Sequence, residues 1–114
     1  MFRIELITEM PRQKKTIVMP NGVTFSISLY YIEQQRGWFI DELICGKFVL
    51  RGIRISNSPN FLQKYKNLIP FGLCCVTEGG REPMFIQDFS EGKAKLYALD
   101  KDEVEDFEEF LSAP

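Results

Sequence analysis

Along Val23-Thr24-Phe25-Ser26-Ile27-Ser28-Leu29-Tyr30-Tyr31, apolar side chains alternate with Thr24, Ser26, Ser28 and Tyr30. A period of two is that of a strand with one buried face. Thr16-Ile17-Val18-Met19 stands on the other side of Pro20-Asn21-Gly22, and Asn-Gly supplies the positive φ angles of a tight hairpin turn. A shorter run, Phe2 to Ile7, alternates in the same way and stops near Pro11. A second hairpin is predicted from Trp38-Phe39-Ile40-Asp41-Glu42-Leu43-Ile44 and Phe48-Val49-Leu50-Arg51-Gly52-Ile53-Arg54-Ile55, with Gly46 in the turn between them. Gly52 marks a bulge, a bend or a close backbone approach inside its strand.

The period then changes. Ser58-Pro59 suits an N-cap followed by a first-turn proline, and Phe61, Leu62, Tyr65 and Leu68 recur at helical spacing before Pro70 and Gly72 end the run. Phe71 to Thr77 reads as a strand, Glu78-Gly79-Gly80-Arg81-Glu82-Pro83 as a mobile loop, and Lys93 to Leu99 as the last strand. The pattern predicts an all-β domain over residues 1–99, a small antiparallel barrel or sandwich of six to seven strands with one short internal helix. The barrel is the favoured form, its expected core being Ile4, Leu6, Phe25, Ile27, Leu29, Trp38, Ile40, Val49, Ile53, Phe61, Tyr65, Val76 and Leu96.

Residues 100–114 depart from this pattern. Val104, Phe107 and Leu111, with Phe110 beside them, make one apolar stripe on an acidic helix that includes Glu105 and Glu108. These six residues are the candidate partner contacts, since such a helix gains little stability until it lies on a surface. Asp102 and Glu103 near its start suit the positive end of the helix dipole. A solvated terminal helix with no partner is the plainer reading.

Charge sharpens the division. The net charge is only −2, yet residues 100–114 hold seven acids and one base, which leaves +4 on residues 1–99. The chain of 114 residues is one domain's worth, and its 45% hydrophobic content is that of a globular protein. It contains no histidine, so Ser-His-Asp and Cys-His catalysis and His-ligated metals are excluded. Three cysteines, with Cys74 and Cys75 adjacent, fit no closed disulfide framework or zinc spacing. One of that pair is expected in the core and the other at a surface or interface. No cofactor is predicted.

The remaining candidate chemistry is thin. Asp41 and Glu42 are neighbours on a strand and point to opposite faces, which makes a shared substrate unfavourable. Gly79-Gly80-Arg81 lacks the Lys-Ser/Thr and following helix of a phosphate loop and reads as a hairpin tip. A single-stranded nucleic-acid-binding small β-barrel is the alternative function that the basic body allows. Its bases, among them Arg12, Lys14, Arg36, Arg51 and Lys64, are spread over several elements, and the acidic tail competes with phosphate. No run approaches the roughly 18 apolar residues of a membrane span, and the start Met1-Phe2-Arg3-Ile4-Glu5 has no charged leader before an apolar stretch. A soluble chain made in a cytoplasm is expected.

Four short motifs carry a resemblance. Arg36-Gly37-Trp38-Phe39-Ile40-Asp41, Gly46-Lys47-Phe48-Val49-Leu50-Arg51-Gly52-Ile53, Phe61-Leu62-Gln63-Lys64-Tyr65 and Lys95-Leu96-Tyr97-Ala98-Leu99 stand in the order found in the small baseplate plug proteins of tailed phages. The opening hairpin through Pro20-Asn21-Gly22 is also similar to that family, so the resemblance spans about residues 3–100. It implies a non-enzymatic structural protein of the virion tail baseplate, made in the host bacterial cytoplasm and seated where the tube's lower end is closed. Its implied partners are baseplate hub, spike, tail-tube or tape-measure proteins, and a homo-oligomer in the assembled tail is compatible with it. The family tends to stop near the last strand, so the acidic helix after Asp100 reads as an addition. Provirus remnants carry such genes too, so the resemblance allows a bacterial genome as well as a phage as the source.

Overall fold

The computed structural model describes the backbone of residues 1–112, with side chains described through Asp106 and at Glu108. Seven strands, β1 (Phe2–Ile4), β2 (Arg12–Val18), β3 (Thr24–Ile32), β4 (Gly37–Cys45), β5 (Phe48–Arg54), β6 (Phe71–Thr77) and β7 (Ala94–Asp100), precede one helix, α1 (Lys101–Ser112). They form two antiparallel sheets, a four-stranded β2-β3-β4-β5 meander and a three-stranded β1-β7-β6 sheet. The two are not hydrogen-bonded into a ring, so the all-β domain is an open sandwich and not the favoured barrel. Between the sheets lie Ile4, Phe25, Ile27, Leu29, Trp38, Ile40, Leu43, Phe71, Leu73 and Leu96. The rings of Phe25 and Phe71 stack across the gap with centroids 4.0 Å apart.

Both hairpin turns fall where the sequence places them. Gly22 has φ +91° and donates its N–H to Met19 O at 2.9 Å, while Gly46, at φ +60°, opens the two-residue turn between Cys45 and Phe48. β2 is longer than its apolar run because its first half, Arg12 to Lys15, is polar. It is an edge strand, where basic side chains keep the unpaired backbone groups from recruiting another strand.

Three expected core residues are exposed, each for a backbone reason. Leu6, 83% exposed, lies beyond the end of β1 in a left-handed conformation (φ +62°), so Ile7 takes the buried place. Val49, 45% exposed, shares the parity of Ile53 but not its face, because Gly52 (φ +69°) reverses the alternation between them. Phe48 and Leu50 therefore point inward on one side of Gly52, and Ile53 and Ile55 on the other. Val76 stands on the outer face of β6 and is 48% exposed.

The internal helix contracts to a 3-10 turn at Gln63–Tyr65. Ser58 is paired with Cys75 as an isolated bridge and Phe61 N–H donates to Leu73 O at 3.0 Å, so this backbone runs along the edge of β6 and coils only after it. Leu62 and Ile69 become the buried anchors, and Leu68 faces solvent.

Candidate functional site

The outer face of the three-stranded sheet is half covered, and its features follow from the sequence of β6. Phe71 to Val76 is apolar almost without interruption, the signature of a strand with partners on both faces. Phe71, Leu73 and Cys75 enter the sandwich core, whereas Cys74 joins Leu99 and Val104 in a second small cluster under α1. The adjacent cysteines thus divide as expected, between core and an interface. Burial raises both thiols, Cys75 to about 12, with Cys74, Glu82 and Asp88 adding to its shift. Neither is a thiolate at neutral pH.

A reciprocal cap holds the start of α1. Asp100 Oδ1 accepts from Glu103 N at 2.8 Å, and Glu103 Oε1 accepts from Asp100 N at 3.2 Å, the capping-box arrangement with aspartate in the cap position. Glu103 Oε2 also takes the N-terminal ammonium of Met1 at 2.6 Å. One turn further on, Lys66 Nζ lies 3.0 Å from the Glu108 carboxylate, tying the helix to the 3-10 region. Of the predicted contact residues, Val104 is buried against the body, Glu108 is ion-paired and Glu105 is exposed. The side chains of Phe107, Phe110 and Leu111 lie outside the described residues.

Beside α1, among the described residues, the sheet carries an open groove. The groove, of about 640 Å³, is floored by Met1, Cys74, Val76 and Leu99, walled on one side by Asn57, Ser58 and Pro59, and on the other by Glu103 and Asp106. Its far wall is rigid. Asn57 Oδ1 accepts from Thr77 N at 3.2 Å and its Nδ2 donates to Gly80 O at 2.9 Å, and buried Asn60 accepts through Oδ1 from Leu62 N and Leu73 N. These two amides complete the edge of β6 where the backbone itself does not. From the sequence Pro59 reads as a first-turn proline and Val76 as a core residue, and nothing marks either, or Met1, for a site; the unbroken apolar run of β6 is the available signal.

Charged groups elsewhere are engaged in structure. Arg81 does not sit at a hairpin tip: it opens the long connection 78–93 and folds back to grip Asp88 with bonds of 2.9 and 2.8 Å. Burial alone would raise the Asp88 pKa, but the Arg81 hydrogen bonds, the Phe85 amide and the charges of Arg81 and Lys93 outweigh it and hold the carboxyl below its ordinary value. The same connection bonds the opposite sheet through Tyr31 Oη to Met84 O at 2.5 Å and Trp38 Nε1 to Phe85 O at 3.3 Å. Asp41 is the extra residue of a bulge in β4: with Ile40 and Leu43 both in the core, Asp41 and Glu42 lie on the same outer side and not on opposite faces as strand alternation predicts, and Glu42 is taken up by Arg51 at 3.0 Å. Arg12 stacks over Tyr30 and Arg54 over Phe39, on separate strands. Among the described residues, no three His, Cys, Asp or Glu side chains gather closely enough to hold a metal, and no helix is long and apolar enough to cross a membrane.

No curated protein matches the chain. The family model described as Cyanophage baseplate Pam3 plug gp18 matches residues 1–101, which takes in both sheets and ends on the first residue of α1. With nearly nine-tenths of its length matched, the chain belongs to that family of phage baseplate plug proteins and is a component of the virion tail baseplate.

Proposed function

We propose that the protein is a non-enzymatic plug that helps close the tube and hub region of the tail baseplate through protein–protein contacts. The family match over the whole β body carries this reading. The fold supports it: two sheets on one shared core, cross-tied by Trp38 and Tyr31, make a body that can bear contacts on several sides without rearranging. Its partners are hub, spike, tube or tape-measure proteins, and more than one copy per tail is compatible with the role. Residues 1–99 are the seated body, and residues 100–114 are an acidic appendage whose solvent face, with Glu105 on it, meets a neighbour. Electrostatic complementarity of such a face speeds encounter and fixes orientation more than it adds affinity.

The test is deletion of the gene followed by complementation. Loss of closed, infective tails, restored by the intact chain, is the expected result; normal tails without the protein would sink the proposal. For the appendage, a chain lacking residues 101–114 should enter baseplates poorly. Unchanged incorporation together with unchanged stability would remove its docking role.

A further inference from the structure

We infer that the groove beside α1 receives a short segment of a neighbouring tail protein that presents aliphatic side chains next to a lysine or arginine. The inference rests on the plug reading and gives one of its contacts a place and a chemistry. The floor of Met1, Cys74, Val76 and Leu99 is apolar, and Val76, at the end where β6 pairs with Lys95 of β7, is 48% exposed. Aliphatic side chains laid on that floor would bury apolar surface from both partners. On the wall facing the helix, Asn57 already spends its amide on Thr77 and Gly80 and does not offer it to a small metabolite.

Charge decides the rest. Asp102, Glu103 and Asp106 stand at spacings of one, three and four along the helix, so Asp102 and Asp106 are neighbours on one side and Glu103 adjoins Asp106. The Met1 ammonium is bound to Glu103, Lys101 stands at the very start of the helix, and Lys95, the cross-strand neighbour of Val76, carries the cation of the opposite rim. Exposed Asp102 and Asp106 enter no described ion pair, which leaves the wall negative. An anionic or purely apolar segment would meet that wall without compensation, while a basic one pairs with it. The family match ends at residue 101, before these acids, so the floor belongs to the family body and the acidic wall to the appended helix. The groove as a whole is therefore specific to a chain that carries both.

The experiment uses the intact, isotopically labelled chain and a tiled set of peptides taken from the hub, spike, tube and tape-measure proteins of the same virion. Binding peptides are expected to combine aliphatic residues with Lys or Arg and to shift the resonances of Cys74, Val76 and Leu99. Asp106→Lys should weaken that binding by about fivefold, as loss and reversal of a rim charge pair does. Val76→Glu should weaken it by about tenfold or more, by replacing the aliphatic floor with a hydrated carboxylate that its cross-strand neighbour Lys95 draws across it. Val49→Glu, equally exposed on the other sheet, should leave it unchanged. The inference is overturned if no peptide shifts the groove, if Val76→Glu binds like the wild type, or if the groove resonances move only with chain concentration, which assigns the floor to a second copy. Tails distinguish the two levels: a Val76→Glu chain that still enters baseplates sinks the groove alone, whereas a wild-type chain absent from purified tails sinks the plug reading as well.

Discussion

Among the described residues Asp88 is the one carboxylate fully withdrawn from water, and its partners explain why it tolerates burial. It receives two guanidinium bonds from Arg81 and one from the Phe85 amide, and its own carbonyl takes the amides of Lys93 and Ala94. Because its folded pKa is depressed, the stability it contributes is present above the ordinary value of about 4 and is lost as pH falls through the lowered folded value. Asp88→Asn should cost about 2 kcal/mol at neutral pH and flatten the decline of the denaturation midpoint on acidification. An unchanged acid limb would show that other carboxylates govern it. Gly72 is constrained by space: a Cβ there would lie 2.7 Å from Asn60 Oδ1, and Asn60 is held by Leu62 and Leu73. Gly72→Ala should destabilise the fold by about 1–3 kcal/mol in thermal or denaturant unfolding. Neither role was visible in the sequence, where Asp88 carried no motif and Gly72 read as a helix terminator.

Elements were more legible than single residues, and their failures share a cause. The two hairpins, β6 and β7 follow from alternation, turn glycines and apolar runs, all of which are local. The phase of a strand, however, survives only while its backbone is regular. Asp41 bulges from β4 and Gly52 bends β5 at the same level, so Trp38 and Ile40 share the inner face with Leu43, and Ile53 shares it with Leu50. Gly52 was recognised as an irregularity, yet parity counted across it put Val49 in the core. The internal helix failed because Asn57 to Phe61 are drawn into pairing with the edge of β6, a long-range demand that no helical spacing reveals. For α1 the amphipathic pattern placed the element, but the capping box and the cluster of Val104 with Cys74 and Leu99 required the fold. Asp100→Ala should cost about 1 kcal/mol and fray the helix start, read as lost amide protection at Glu103 with the strands unaffected. Protection lost equally across the sheets would mean that α1 holds the sandwich together.

At the scale of the molecule, zero histidine and a charge of −2 describe a protein whose gathered charges are structural, as in Arg81–Asp88, Glu42–Arg51 and Lys66–Glu108. The +4 body and the −6 segment meet: Glu108 reaches Lys66, Glu103 reaches the amino terminus, and the acids that face outward turn the edge of an apolar groove negative. Family membership was legible through short motifs, each contiguous in sequence and within the matched body, while the groove was not, since it joins Met1, Pro59, Val76 and Asp106 from four separate parts of the chain. Sheet edges are guarded by the bases of β2 and by Asn57 and Asn60, which favours docking through side-chain faces over strand addition at those edges. The central claim, that this body closes the tube and hub region through its surfaces, is tested most directly by a high-resolution reconstruction of the tail tip in purified virions. The two-sheet body is expected on the tail axis, in contact with hub or tube proteins and closing the lumen. A body found at the baseplate periphery, with the lumen closed by other proteins, would contradict it.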